Sequence, residues 1–274
     1  MTEKSSSIFV LLSHDVDWGR EGPTISHILA RKERFDKSVL KNLYRTNPYP
    51  NIPEILELED RLGVRSTFFF RTHVRDPEYP PPTYDLSEYK SDIRSMLSGG
   101  WEVGLHSDFV SSSNLQRLKK EKNELEAISG VPVFGNRVHY TLNDSVLFRN
   151  LRKLGFKYDS SVKHQRERIT REDFGYFWKE GLIVFPITIM DSLIFKYNVK
   201  MEADVTKIVR HAVNTCKRTL KKGKIITLIW HDCSLKMKFG RKYAEVLDYL
   251  VSEKKTSIRR GVDLALMIER GEII

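Results

Sequence analysis

The apolar run "IFVLL" leads straight into "SHDVD", which sets Asp15 and Asp17 two residues apart. In extended backbone the side chains alternate, so Asp15 and Asp17 point one way and His14 and Val16 the other. Two carboxylates held side by side can divide tasks. One binds a cation, which relieves their mutual repulsion, and the other accepts a proton. Taken alone, the stretch reads equally well as a hydrogen-bonded polar turn.

Other apolar runs end in the same kinds of residue. Arg71 and His73 follow "STFFF", His106 and Asp108 close "WEVGLHSD", and Arg137 and His139 close "GNRVHY". Asp159 ends "FKYD", Asp191 follows "FPITIM", and His231 and Asp232 end "TLIWHD". If these runs are parallel strands whose C-terminal ends converge, the acids, imidazoles and guanidinium groups share one site. The combination suits a polar site that binds a cation and moves protons.

The elements that must bring them together are legible as a pattern. Strand-like runs lie at 7–13, 65–71, 101–106, 132–138, 156–159, 182–188 and 224–231, with amphipathic helical stretches near 53–62, 85–99, 112–129, 143–154, 202–222 and 240–254. Strands alternating with helices predict a parallel sheet wound in right-handed units. Continuous apolar runs predict strands covered on both faces. Spacing alone leaves a barrel and an open doubly wound sheet both standing. No repeat or linker divides residues 1–274, which predicts one domain with loop insertions near 18–52 and 75–85.

Composition narrows the class. With 274 residues, 40% of them hydrophobic, the chain can bury a large core, and no window is apolar enough for a membrane span. The start "MTEKSSS" lacks the pattern of a signal peptide, which predicts a cytoplasmic protein. Cys216 and Cys233 make neither a disulfide framework nor a cysteine metal site, and Cys216 reads as core filler. The net charge of +10 is spread over "RLKKEKNE", "KRTLKKGK" and similar helical faces, with no nucleic-acid-binding signature beside it. Solubility and attraction to an anionic substrate account for it better than nucleic acid does.

The order of these motifs resembles the polysaccharide deacetylases, the family four carbohydrate esterases, over nearly the whole chain. "SHDVD", "GWEVGLHS", "GNRVHY", "FPITIMDSLIF" and "TLIWHDCS" are similar to the five family motifs in turn, with "FKYDSSV" between the third and fourth. The resemblance implies an α/β fold, a single distorted (β/α)7 barrel, and metal-dependent hydrolysis of an N-acetyl group on a sugar or sugar conjugate. It implies Asp15 as general base, His231 as general acid, Arg137 holding the base, and Asp191 orienting His231. It implies a divalent metal, usually zinc, on Asp17 and His106. Tyr140 would sit where its backbone N–H helps form an oxyanion hole, Trp230 reads equally as a sugar-facing wall or as core, and His73 reads as a substrate-side residue or a surface loop histidine.

One departure is plain. Family members usually carry a second histidine four residues after the first, where both share one face of a helical turn. Here that position is Val110. Catalytic zinc normally takes three protein ligands, and His139 is the expected third, with Asp108 or water as alternatives. If nothing replaces the lost ligand, the chain is instead a catalytically silent sugar-binding barrel.

Overall fold

The structure is a computed structural model that describes residues 7–72, 84–141, 145–193 and 201–273. Strand β1 (Ile8–Val16) is its axis. On one side β1 pairs in parallel with β9 (Ile225–Ile229). On the other it pairs with β10 (Thr256–Arg259) along its first half and with β2 (Thr67–Phe70) along its second. The parallel ladder runs on from β2 through β3 (Glu102–Ser107), β4 (Gly135–Val138) and β5 (Tyr158–Asp159) to β7 (Leu182–Val184). β6 (Phe177–Lys179) lies antiparallel on β7, and β8 (Ile189–Met190) pairs with β9.

The segment joining β7 to β8 brings the two ends of the curled sheet together. Phe185 N–H donates to Asp159 O at 2.9 Å, Ile187 N–H to Val162 O at 2.7 Å, and Thr188 N–H to Thr227 O at 3.1 Å. Pro186 has no N–H to give, so the run expected as one strand over 182–188 is strand only at Leu182–Val184, and β8 begins after it at Ile189. The architecture is the expected distorted α/β barrel, with its irregularity at this closure.

Alternation along β1 sorts the core into two layers. Leu11 joins Phe69, Tyr158, Ile183, Phe185 and Ile225 inside the barrel. Val10, Leu12, Phe68 and Phe70 belong to the larger cluster that includes the helices' Ile55, Ile93, Leu118, Leu147, Val213 and Val246. A Cβ on Gly135 would fall 2.3 Å from the Tyr158 hydroxyl, so a glycine is needed there for the interior ring to fit. Each large apolar side chain buried in this way contributes about 1.5–3 kcal/mol.

Two elements escape the sequence pattern. β10 has half-exposed residues and no apolar run. The helix Gly261–Glu269 is apolar on most sides because it packs Leu264, Ala265 and Ile268 against the interior cluster. Cys216 is fully buried on the helix Ala203–Thr219, and burial pushes its thiol up to about 11, consistent with core filler. Among the described residues, no helix is long and apolar enough to cross a membrane.

Candidate active site

On the interior side of β1 the alternation that buries Leu11 continues through Ser13 to Asp15 and Asp17. The guanidinium of Arg137, fully buried and 4.3 Å above the Phe69 ring, reaches across from β4. Its Nη1 donates to Asp15 Oδ1 at 2.6 Å and to Ser13 Oγ at 2.9 Å. Its Nε and Nη2 donate to Ser160 O and Oγ at 2.9 and 3.0 Å. Burial alone would raise the Asp15 carboxyl, but Arg137, then His106 and His231, hold it below the usual carboxylate range. Asp15 is therefore an anion fixed through Oδ1, with Oδ2 facing the imidazoles. His106 Nε2 and His231 Nε2 each lie 3.9 Å from that oxygen.

A second acid–base pair stands opposite. Asp191 is fully buried. Its Oδ1 lies 2.5 Å from His231 Nδ1, and its Oδ2 accepts from the His231 backbone N–H at 2.9 Å. Burial opposes a charge on His231, yet Asp191, followed by Asp17 and Asp15, raises it to about 10. The ring is an imidazolium at neutral pH, with its Nε2 proton aimed into the site. Asp191 and His231 meet because β8 and β9 are neighbours at their C-terminal ends.

Three potential donors converge beside this pair. Asp17, His106 and His139 each offer a ligand atom, and these atoms lie within 4.8 Å of one another. His106 Nδ1 sits 2.8 Å from Arg137 O. A carbonyl can only accept, so Nδ1 carries a proton, and the ring turns Nε2 toward Asp17 Oδ1 at 3.3 Å. His139 Nε2 lies 3.9 Å from Asp17 Oδ1. Burial, reinforced by His106, pushes His139 down to about 3, so it is a neutral imidazole at ordinary pH. Asp17 stays ionised: burial works against it, but the His106 hydrogen bond and His231 hold it far below the carboxylate range. One carboxylate and two imidazoles form a donor set that fits a divalent cation.

Asp108 does not join them. Its Oδ1 caps the Phe109–Ser111 turn by accepting from Val110 N–H at 3.2 Å, and its Oδ2 faces Arg71 at 3.4 Å. Of the two candidates for the missing ligand, the geometry assembles His139. The helical turn that would carry a histidine at position 110 is instead braced by Glu121, which accepts from Ser111 Oγ at 2.6 Å.

Trp230 requires a correction. Its side chain is 1% exposed and packs 5.1 Å from the Tyr243 ring, so it belongs to the outer core and has no sugar-facing surface. Just beyond β9 it alternates with His231, which explains why one faces the helices and the other the site. Tyr140 is 61% exposed, stacked 3.9 Å from the His139 ring, and held at φ +67°, a strained conformation for a non-glycine residue. His73 lies outside the described residues.

Sequence reasoning missed the support behind the strand ends. His14, on the outward side of β1, contacts Trp230 O through Nδ1 at 2.7 Å and Glu59 Oε1 through Nε2 at 2.8 Å. Glu59 also accepts from Tyr243 Oη at 2.6 Å and from Ser66 Oγ and Trp101 Nε1 at 2.7 Å each. This fully buried cluster ties β1 to the peptide that precedes His231. The signal was present, since Ile52, Ile55 and Glu59 occupy the buried stripe of the helix Ile52–Arg61.

Comparisons with known proteins bear on the fold. No family model and no curated protein matches the chain. Solved structures do match. A protein from Mycobacterium smegmatis assigned as a polysaccharide deacetylase superposes with a TM-score of 0.68 at 17% identity, over 100% of this chain and 94% of its own. The PuuE allantoinase gives 0.65 at 14% identity, over 98% and 92%. A mutant of a CE4 family pseudoenzyme with restored enzymatic activity gives 0.53 at 13% identity, over 95% and 68%. The fold of this chain is that of the polysaccharide deacetylases.

Proposed function

We propose that the chain is a metal-dependent amide hydrolase that removes an acetyl group from an N-acetylated sugar or sugar conjugate. The observation that carries this reading is the geometry of two opposed pairs, Arg137 on Asp15 Oδ1 and Asp191 on His231 Nδ1, beside a three-donor cluster. A carboxylate locked as an anion by Arg137 faces an imidazolium locked by Asp191, across a three-donor cluster.

A divalent cation, zinc by its donor preferences, would be held by Asp17, His106 and His139 and would supply a Lewis acid for the carbonyl oxygen. The chain's own residues handle the protons. Asp15 Oδ2, free because Arg137 occupies Oδ1, takes a proton from the attacking water. The water oxygen bonds to the carbonyl carbon, and the C–N bond breaks. His231 Nε2 gives its proton to the departing nitrogen and returns to neutral, still oriented by Asp191. Each proton-transfer partner contributes typically about 10²–10⁴-fold. The exposed Tyr140 ring offers a flat face beside the site, suited to the apolar side of a sugar.

His139 argues against a catalytically silent barrel, because it brings a third potential donor from beyond the end of β4 in place of position 110. The likeness to an allantoinase favours a second substrate class, a cyclic non-sugar amide, within the same chemistry. The test is a hydrolysis assay on N-acetylated oligosaccharides and on cyclic amides, with purified protein and with Asp15→Asn and His231→Ala. Release of acetate by the parent and its loss in both variants supports the deacetylase reading. Ring opening without acetate release selects the second class, and equal turnover in parent and variants overturns both.

A further inference from the structure

Two guanidinium groups reach this site, and their surroundings differ. Arg137 spends its donors on four protein oxygens at 2.6–3.0 Å. Arg71, which ends β2, is 8% exposed yet has one side-chain hydrogen bond among the described residues, from Nη2 to Asp108 Oδ2 at 3.4 Å. A guanidinium carries five N–H donors in a planar fork, and groups buried to this degree normally have their donors engaged. Its backbone is fixed, because Arg71 N–H donates to Tyr84 Oη at 2.8 Å and Tyr84 Oη donates to Val16 O at 2.7 Å. Asp108, its one partner, already spends its other oxygen on Val110 N–H. That partner lies two residues beyond His106, so the guanidinium stands at the same strand-end face as the donor cluster. The fork is held in place while most of its hydrogen-bonding capacity remains unused by the described protein.

We infer that Arg71 is the recognition point for an oxyanion group on the substrate, a carboxylate or a phosphate, so that the substrate is an acidic sugar conjugate rather than a neutral glycan. A planar fork pairs with such a group bidentately, which adds orientation to charge. The net charge of +10 acts in the same direction by steering anions toward the chain. The inference rests on the hydrolase reading only for the claim that substrate lies over the strand ends.

The test is calorimetric titration of the full chain with glucuronate, glucose 6-phosphate and glucose, before and after chelation and dialysis. At least one anionic sugar should bind tenfold or more tightly than glucose in both preparations, and which one does so identifies the anion. Arg71→Gln should abolish the difference, and Arg71→Lys should keep only part of it. Asp108→Asn, which retains the cap and removes the competing charge, should tighten anion binding several-fold. Because two of these variants move affinity in opposite directions, misfolding cannot mimic the pattern. Equal binding of glucose, indifference to Arg71→Gln, or anion binding that disappears on chelation would overturn the inference. A protein that hydrolyses no amide yet discriminates through Arg71 sinks the hydrolase reading alone. A hydrolase indifferent to Arg71→Gln sinks only the substrate class.

Discussion

His139 Nε2 lies 3.9 Å from Asp17 Oδ1, and its ring meets that of His106 edge-on with centroids 5.3 Å apart. A strand end thus delivers the donor that a pair of histidines four apart would deliver from one helical turn. The two arrangements ask different things of the chain. A helical pair depends on a regular turn, whereas His139 depends on β3 and β4 staying in register, with His106 opposite Arg137.

Removing either proton-transfer group should slow the chemistry without unfolding the barrel. Asp15→Asn and His231→Ala are each expected to lower kcat by about 10²–10⁴-fold. The double variant should lose much less than the product of the two, since the groups act as one unit. Acetate release under saturating substrate, with circular dichroism to verify the fold, measures this.

The pH dependence of His231 has a definite sign. Its folded value is raised from 6.5 to about 10, chiefly because Asp191 overrides burial. Its contribution to stability is therefore fully present below 6.5 and is lost as pH rises through about 10. Asp191→Asn should move the alkaline limb of the rate profile to lower pH. A histidine-resolved NMR titration of both proteins would show the same displacement, and coincident curves would rule out Asp191 as the source of the shift.

Glu121 is pushed up to about 8, first by burial and then by Asp108, against an ordinary value of 4.5. For an acid whose folded value is raised, the folded state binds the proton more tightly. Stability should then fall as pH rises between 4.5 and about 8. The slope is at most about 1.4 kcal/mol per pH unit. Glu121→Gln should flatten that slope, which denaturant melts at pH 5 and pH 8 can measure.

The buried cluster of His14, Glu59 and Tyr243 should behave as a coupled unit. Glu59→Leu alone leaves His14 without its acid and should cost about 3–5 kcal/mol. Adding His14→Phe should recover much of that loss, because both partners are then apolar. A double-mutant cycle from chemical denaturation gives the coupling directly, and additive losses would show that the pair does not interact.

Much of the site was legible because strand alternation is a strict rule. The two-residue spacing of Asp15 and Asp17 dictates one common side, and the same period separates Arg137 from His139. Continuous apolar runs alternating with amphipathic stretches gave a parallel α/β sheet, and only the resemblance to the deacetylases chose the barrel over an open sheet. What remained hidden depends on contacts between elements distant in sequence. Glu59 looks like one more acid in "EILELEDR" until its helix is packed against β1. Trp230 beside His231 suggests a binding wall, yet alternation that turns His231 inward necessarily turns the indole outward. β10 and the helix Gly261–Glu269 carry no strand or amphipathic period of their own, because one is half exposed and the other plugs an interior.

The most direct test of the proposed centre is metal stoichiometry, measured by mass spectrometry on protein equilibrated with zinc. The parent chain should hold about one ion per chain, as a set of three protein ligands with one open position implies. His139→Ala should lower zinc affinity at least tenfold, while Asp108→Ala should leave it unchanged. Zinc retained by His139→Ala and lost from Asp108→Ala would contradict the assignment of His139 as the third ligand.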